Sequence, residues 1–212
     1  MLRPLALALA LSPAAALAEP MDFTGWTEQR LKLLSSNDYT QEADRLGIVS
    51  ENTVSLLWTR LPETLWGATT ASWDWSVTEG VAATDLAVKG GDDRDIAIYF
   101  LWIPSDTTAE AGEADIRSLI GRDDVRIIQY AWGGSNPLDE PIPSPYGVPG
   151  TAVTIPLHDA STGEASESVD LAADYARAFD GEPGALVGMA VSADSDDTEA
   201  RIDATVSNLN VQ

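Results

Sequence analysis

The chain has 212 residues, with 12 Lys and Arg against 34 Asp and Glu, one His and no Cys, and a formal charge of −22. An acidic surface of this strength excludes nucleic acid and anionic membrane as partners, because both require basic patches. Without cysteine, disulfides, thiolate metal sites, thiol nucleophiles and cysteine-linked lipid anchors are excluded too, so a chain of this size relies on one well-filled core.

The first segment reads as a targeting signal. Arg3 opens it, Leu5 to Leu11 is a short run of Leu and Ala, and Ala16-Leu17-Ala18 has the small-x-small form of a signal-peptidase site. Cleavage after Ala18 is expected, giving a periplasmic or secreted chain that begins at Glu19 and is one unit more negative. The run is too short for a comfortable membrane span, and no later stretch of the sequence is long and apolar enough for one.

Residues 19–46 are expected to form an N-terminal extension on the domain edge, with a short helix or strand within Glu19 to Asn37, where Phe23, Trp26, Leu31, Leu33 and Leu34 stand among polar residues, and a polar loop from Asp38 to Arg45. Residues 47–212 form the expected domain. Ile48, Val49, Val54, Leu56, Leu57 and Trp58 indicate one broken strand or two short ones, ended by Pro62. Trp73, Trp75 and Val77 alternate with Asp74 and Ser76, the period of a half-buried strand. After a loop, Ile96, Ile98, Phe100 and Trp102 share one face of a strand while Ala97, Tyr99, Leu101 and Ile103 share the other. Two apolar faces place that strand centrally.

Further strands are expected over Val125–Trp132, Thr151–Leu157, Ala185–Ala193 and Arg201–Val211, with a helical turn at Ile116–Gly121. The stretch from Gly133 to Gly150 is a long loop rich in Pro and Gly, of a kind that often sits at binding faces. One clear helix is expected over Glu167–Phe179, where Ala172, Tyr175, Ala176 and Phe179 recur at helical spacing. Ser168 or Asp170 is placed to cap it and Gly181 to end it. Many short strands with one surface helix predict a mainly β fold, an antiparallel β-sandwich of jelly-roll type.

Three constellations carry candidate chemistry. Lys89-Gly90-Gly91-Asp92-Asp93-Arg94 sets two carboxylates between two cations at the mouth of the central strand. Adjacent carboxylates usually diverge, so pairing of Asp92 and Asp93 with Lys89 and Arg94 is favoured over joint ligation of an ion. Asp194, Asp196 and Asp197 lie in a turn between two strands, where alternating carboxylates can gather oxygens for Ca²⁺, or simply cap local N–H groups. Tyr130 and Trp132 run into the glycine-rich loop. Flat aromatic faces stack on the C–H faces of sugars, and Trp132 is the tryptophan expected at the surface. For Trp73 and Trp75, core packing is the plainer reading. His158 stands beside Asp159 at a strand end and is expected to be an ordinary surface histidine.

The Trp73-x-Trp75 strand, the Lys89 to Asp93 turn with its Asp-Asp pair, Tyr130-x-Trp132, Asp174-Tyr175 with Phe179, and Asp194-x-Asp196-x-Thr198 together resemble family number 3047 of bacterial domains of unknown function. The resemblance spans Trp58 to Val211. Asp180, inserted between Phe179 and Gly181, and the doubled Asp196-Asp197 depart from the pattern. The resemblance implies an exported bacterial protein with a sandwich like those of carbohydrate-binding modules, and implies no activity. The function expected from the sequence is non-catalytic binding of a polysaccharide or other polar ligand at the cell envelope. Trp132 and Tyr130 would stack, Asp92, Asp93, Arg94 and Lys89 would hydrogen-bond, and Asp194, Asp196 and Asp197 would hold a structural Ca²⁺. The alternatives are a polysaccharide hydrolase or lyase using loop carboxylates, and a structural envelope protein without a small ligand.

Overall fold

The computed structural model describes residues 20–111 and 116–212, so the expected signal peptide lies outside the described residues. In chain order the strands are β1 (Thr27–Arg30), β2 (Asp38–Gln41), β3 (Arg45–Glu51), β4 (Val54–Arg60), β5 (Thr70–Glu79), β6 (Arg94–Ile103), β7 (Arg126–Trp132), β8 (Ile142–Pro143), β9 (Ala152–His158), β10 (Gly163–Asp170), β11 (Ala185–Asp194) and β12 (Arg201–Val211). The helices are α1 (Thr108–Ala111), α2 (Ile116–Ile120) and α3 (Leu171–Ala178).

They form two sheets, ordered β1-β4-β11-β6-β7-β9-β8 and β10-β5-β12-β3-β2. All pairings are antiparallel except β7 with β9. The chain is therefore mainly β, a two-sheet sandwich as its alternation predicts. The β6 faces divide as expected. Ile96, Ile98, Phe100 and Trp102 enter the core between the sheets, where they meet Trp73 and Trp75 of β5 and Val206 of β12. Burying each of these large apolar side chains stabilises the fold by roughly 1.5–3 kcal/mol. The aromatic rings settle tilted or edge-on, as the Trp73–Trp75 pair does at 5.4 Å and 78°.

Three elements differ from the sequence expectation, the smallest being β8, a two-residue strand on β9 inside the stretch expected as a loop. Residues 163–170 are strand β10, not the start of the helix. Ala165, Glu167 and Val169 turn toward the protein while Glu164, Ser166 and Ser168 face out, and the segment pairs along β5 from Val77 to Thr70. This period of two competes with the helical spacing that begins at Leu171. Asp170 ends the strand and caps α3, its Oδ1 accepting from Ala173 N at 2.9 Å. The segment Asp38–Gln41, expected as a polar loop, is β2, registered on β3 with Tyr39 packed against the core. A four-residue edge strand has too few alternations to be read from sequence.

Candidate functional site

The outer face of the seven-stranded sheet is covered only in part. At one end Ile116, Leu119 and Val125 lie over Leu101, Ile103, Ala185 and Val187. At the other, Leu86 and Ile142 cover Ala97 and Ala131. A cleft of about 350 Å³ remains between them, at the lower end of the ~300–1,000 Å³ typical of small-molecule sites. Its floor is built from strand positions that alternation turns outward: Val54 and Leu56 on β4, Tyr99 on β6, Ile127 and Gln129 on β7, and Thr154 on β9. Lys32 stands at its rim on one side and Tyr146, from the Pro-rich loop, on the other.

One part of the cleft holds a charged network. The β11–β6 ladder shifts register between Ser192 and Asp194, setting Asp194 opposite Arg94. An irregularity of this kind re-aims side chains at the end of a strand. Arg94, buried at 6% exposure, donates through Nη1 to the Asp92 carbonyl at 2.9 Å and to Asp194 Oδ2 at 3.1 Å, with Asp92 Oδ2 at 3.5 Å. Its Nη2 donates to the Tyr99 hydroxyl at 2.6 Å, which in turn lies 2.9 Å from Ser192 Oγ. The Tyr146 hydroxyl donates to Asp92 Oδ1 at 2.9 Å and accepts from Gly90 N, while the Lys89 ammonium sits 5.2 Å from the Tyr146 ring centre. Burial pushes the Asp194 carboxyl up, Arg94 pulls it down, and the neighbouring carboxylates Asp93, Asp196 and Asp92 add to the rise, leaving it raised. Arg94 Nε and Asp194 Oδ1 have no hydrogen-bond partner.

The two adjacent carboxylates diverge. Asp92 turns to Arg94 and Tyr146, whereas Asp93, with 0% exposure, turns to the acidic turn. Its Oδ2 accepts from Thr198 N at 2.7 Å and Thr198 Oγ1 at 2.6 Å, and the Asp197 N–H also reaches the carboxylate. Asp93 thus holds the turn in shape as a cap would. Ligand atoms from Asp93, Asp196 and Asp197 lie within 4.8 Å of one another, so these three could hold a metal ion. Asp194, expected among the metal residues, is drawn out of the set by Arg94. Asp196 is ion-paired with Lys32.

The aromatic residues expected to stack on a ligand do not face the cleft. Trp132 is 3% exposed and Tyr130 fully buried. Trp132 lies against the His158 ring at 4.2 Å and donates from Nε1 to Ser161 O, and the Tyr130 hydroxyl donates to Asp174 Oδ2 at 2.6 Å. β7 presents its even-numbered positions to the sandwich core, which swallows both rings. A stacking role for Trp132 and Tyr130 is therefore corrected to a packing role. His158 is half-buried, its Nε2 2.7 Å from Glu167 Oε1. The residues that sequence reasoning passed over are Tyr99, Gln129, Thr154 and Tyr146. Their strand parity identifies the first three as outward-facing on a sheet whose outer surface is partly covered. Tyr146 carried the signal of an aromatic residue in a Pro- and Gly-rich loop.

The chain belongs to the family described as "Protein of unknown function (DUF3047)", whose model matches residues 24–210. A comparison with curated proteins gave no match. Among solved structures, the xyloglucanase domain of NopAA, a type three effector from Sinorhizobium fredii in complex with cellobiose, is similar over 88% of this chain and 92% of that one. The sequence identity is 11% and the TM-score 0.48.

Proposed function

We propose that this member of the family is an exported protein of the cell envelope that binds a carbohydrate or similar polar ligand, without cleaving it, in the cleft on the outer face of the seven-stranded sheet. The observation that carries the reading is the polar network around Arg94 and Tyr99 at the cleft, beside the half-exposed ring of Tyr146. Hydroxyls and amides fixed in position suit the hydroxyl groups of a sugar, and Gln129, which donates to Thr154 Oγ1 at 3.1 Å, adds an amide to the set. Tyr146 offers an aromatic face to the C–H side of a ring. In this reading Asp92 and Arg94 hydrogen-bond the ligand and Lys89 acts through the Tyr146 ring, while Asp93, expected in the same set, is instead taken up by Thr198 and the Asp197 N–H.

Affinity electrophoresis through gels containing a panel of polysaccharides tests this. Selective retardation in one gel is expected, with Tyr146→Ala weakening it about tenfold through loss of roughly 1.5 kcal/mol of stacking. Uniform migration in every gel would refute the reading. The raised carboxyl of Asp194 in a cleft favours one second reading, hydrolysis of the same polymer with Asp194 as proton donor. Release of reducing ends from the retarding polymer distinguishes it.

The acidic turn adds a structural Ca²⁺ to the proposal, held by Asp93, Asp196 and Asp197, with the ion taking the place of the Lys32 ammonium at Asp196. An ion bound only by the folded state stabilises it by about 2.7 kcal/mol at one hundred times its Kd. Melting in Ca²⁺ is expected above that in chelator, and identical melts remove the ion from the proposal.

A further inference from the structure

Away from Arg94 the cleft changes character. On the β4 side it is lined by Leu31, Val54 and Leu56, and on the α2 side by Ile120 and Ile127. Leu31 follows directly on β1, whose Arg30 pairs with Ser55, so the wall made by β4 continues into the segment after β1. There the apolar surface leaves the cleft. Leu31 is 46% exposed, and Leu33 and Leu34 are 93% and 86% exposed. Leu34 holds a left-handed backbone with φ of 65°, a conformation that glycine or asparagine adopts at lower cost than leucine. Two adjacent leucines fully in water, one of them on an unfavourable backbone, make no contribution to folding that a polar turn would not make better.

The charges at the cleft narrow the ligand further. Arg94 is shared between Asp92 and Asp194, and Lys32 is paired with Asp196. Carboxylates outnumber cations at the cleft as they do over the whole chain. An anionic head group would meet cations already neutralised and a surplus of like charge.

Resting on the saccharide-binding reading, we infer that the ligand is an uncharged amphiphile: a hydroxyl-bearing head such as a sugar at the Arg94, Tyr99 and Tyr146 end, and an alkyl or acyl chain laid along Leu31, Val54, Leu56 and Ile127. A sugar alone would leave the apolar half of the cleft unmatched, and a hydrocarbon alone would leave the polar network unmatched. A cleft of about 350 Å³ is of a size for one small molecule and not for a folded partner.

Titration calorimetry of the purified protein with methyl, butyl, hexyl and octyl β-glucoside, each below its micelle concentration, tests the inference. Burial of a methylene contributes about 0.8 kcal/mol, so affinity is expected to rise about fourfold per methylene added from butyl to octyl. Octanoate, an anionic headed chain, is expected to bind at least tenfold more weakly than octyl glucoside. Leu31→Ser changes an exposed residue and is expected to lower octyl glucoside affinity severalfold without moving the melting temperature or the affinity for methyl glucoside. Equal affinity along the whole series overturns the amphiphile and leaves saccharide binding intact. Equal affinity for octyl glucoside and 1-octanol overturns the sugar head and with it the saccharide reading. If octyl glucoside does not bind, the amphiphile is overturned, and retardation in the polysaccharide gels separately decides the saccharide reading.

Discussion

Replacing Arg94 with methionine tests whether the buried network is built as described. The side chain is 6% exposed and serves two carboxylates and a tyrosine hydroxyl. Removing it leaves Asp194, whose Oδ1 already has no partner, without its cation. Breaking a buried pair from one side costs about 3–5 kcal/mol, most of it from the uncompensated charge left behind. For a domain of this size, each kcal/mol shifts the melting temperature by about 2–4 °C, so a fall of about 6–20 °C is expected at pH 8. The pH dependence follows from the sign of the shift. The Asp194 carboxyl is raised in the folded protein, and without Arg94 it rises further. The folded state then binds the proton more tightly than the unfolded state, so stability falls as pH climbs through the unfolded value toward the folded one. The deficit of Arg94→Met should therefore be largest at pH 8 and shrink toward pH 5. Asp194→Asn in the same background should restore part of it. Thermal melts followed by circular dichroism at both pH values measure all of this. A deficit below about 1 kcal/mol at pH 8, or one that does not change with pH, would refute the account of the network.

Three further outcomes follow from other buried groups. Asp95 is fully buried and burial pushes its carboxyl up to about 6, against the pull of the Val81 and Ser161 N–H groups. Stability should decline as pH rises from about 4 to 6, and Asp95→Asn, which keeps an acceptor for Val81 N, should flatten that decline and raise stability at pH 8 by up to about 3 kcal/mol in urea titrations. Trp132→Ala should cost about 3–5 kcal/mol as a core deletion, so that its melting temperature falls well before ligand binding can be assessed. An unchanged melt would return Trp132 to the surface. Gly184 has no room for a side chain, since a Cβ there would lie 1.9 Å from Ile103 O. Gly184→Ala should destabilise by about 3 kcal/mol through forced backbone movement, and a neutral substitution would show that the Ile103–Gly184 approach is looser than described.

Sequence patterning alone determined the sandwich and its central strand. Two interleaved apolar sets on Ile96–Ile103 can be buried only between covered faces, and the alternation of Trp73 and Trp75 needs no partner to be recognised. It also favoured divergence of the adjacent Asp92 and Asp93, but paired both with Lys89 and Arg94, whereas only Asp92 meets Arg94 and Asp93 is taken up by Thr198. What periodicity does not contain is which of two faces the core takes, and which distant strands become neighbours. β7 turned Tyr130 and Trp132 into the core and Gln129 to the cleft, a choice fixed by pairing to β6 and β9 rather than by anything local. Asp194 looked like one more carboxylate of an acidic turn, yet a shift in register 100 residues from Arg94 in sequence bound it to that guanidinium and left Asp93 with Asp196 and Asp197. Tyr146 and Leu31 met across one cleft only after β1 and the Pro-rich loop had docked on opposite sides of the same sheet. Alternation reports what each side chain prefers to avoid or meet. The identity of its neighbour is decided by sheet order and register, which the folded chain alone supplies.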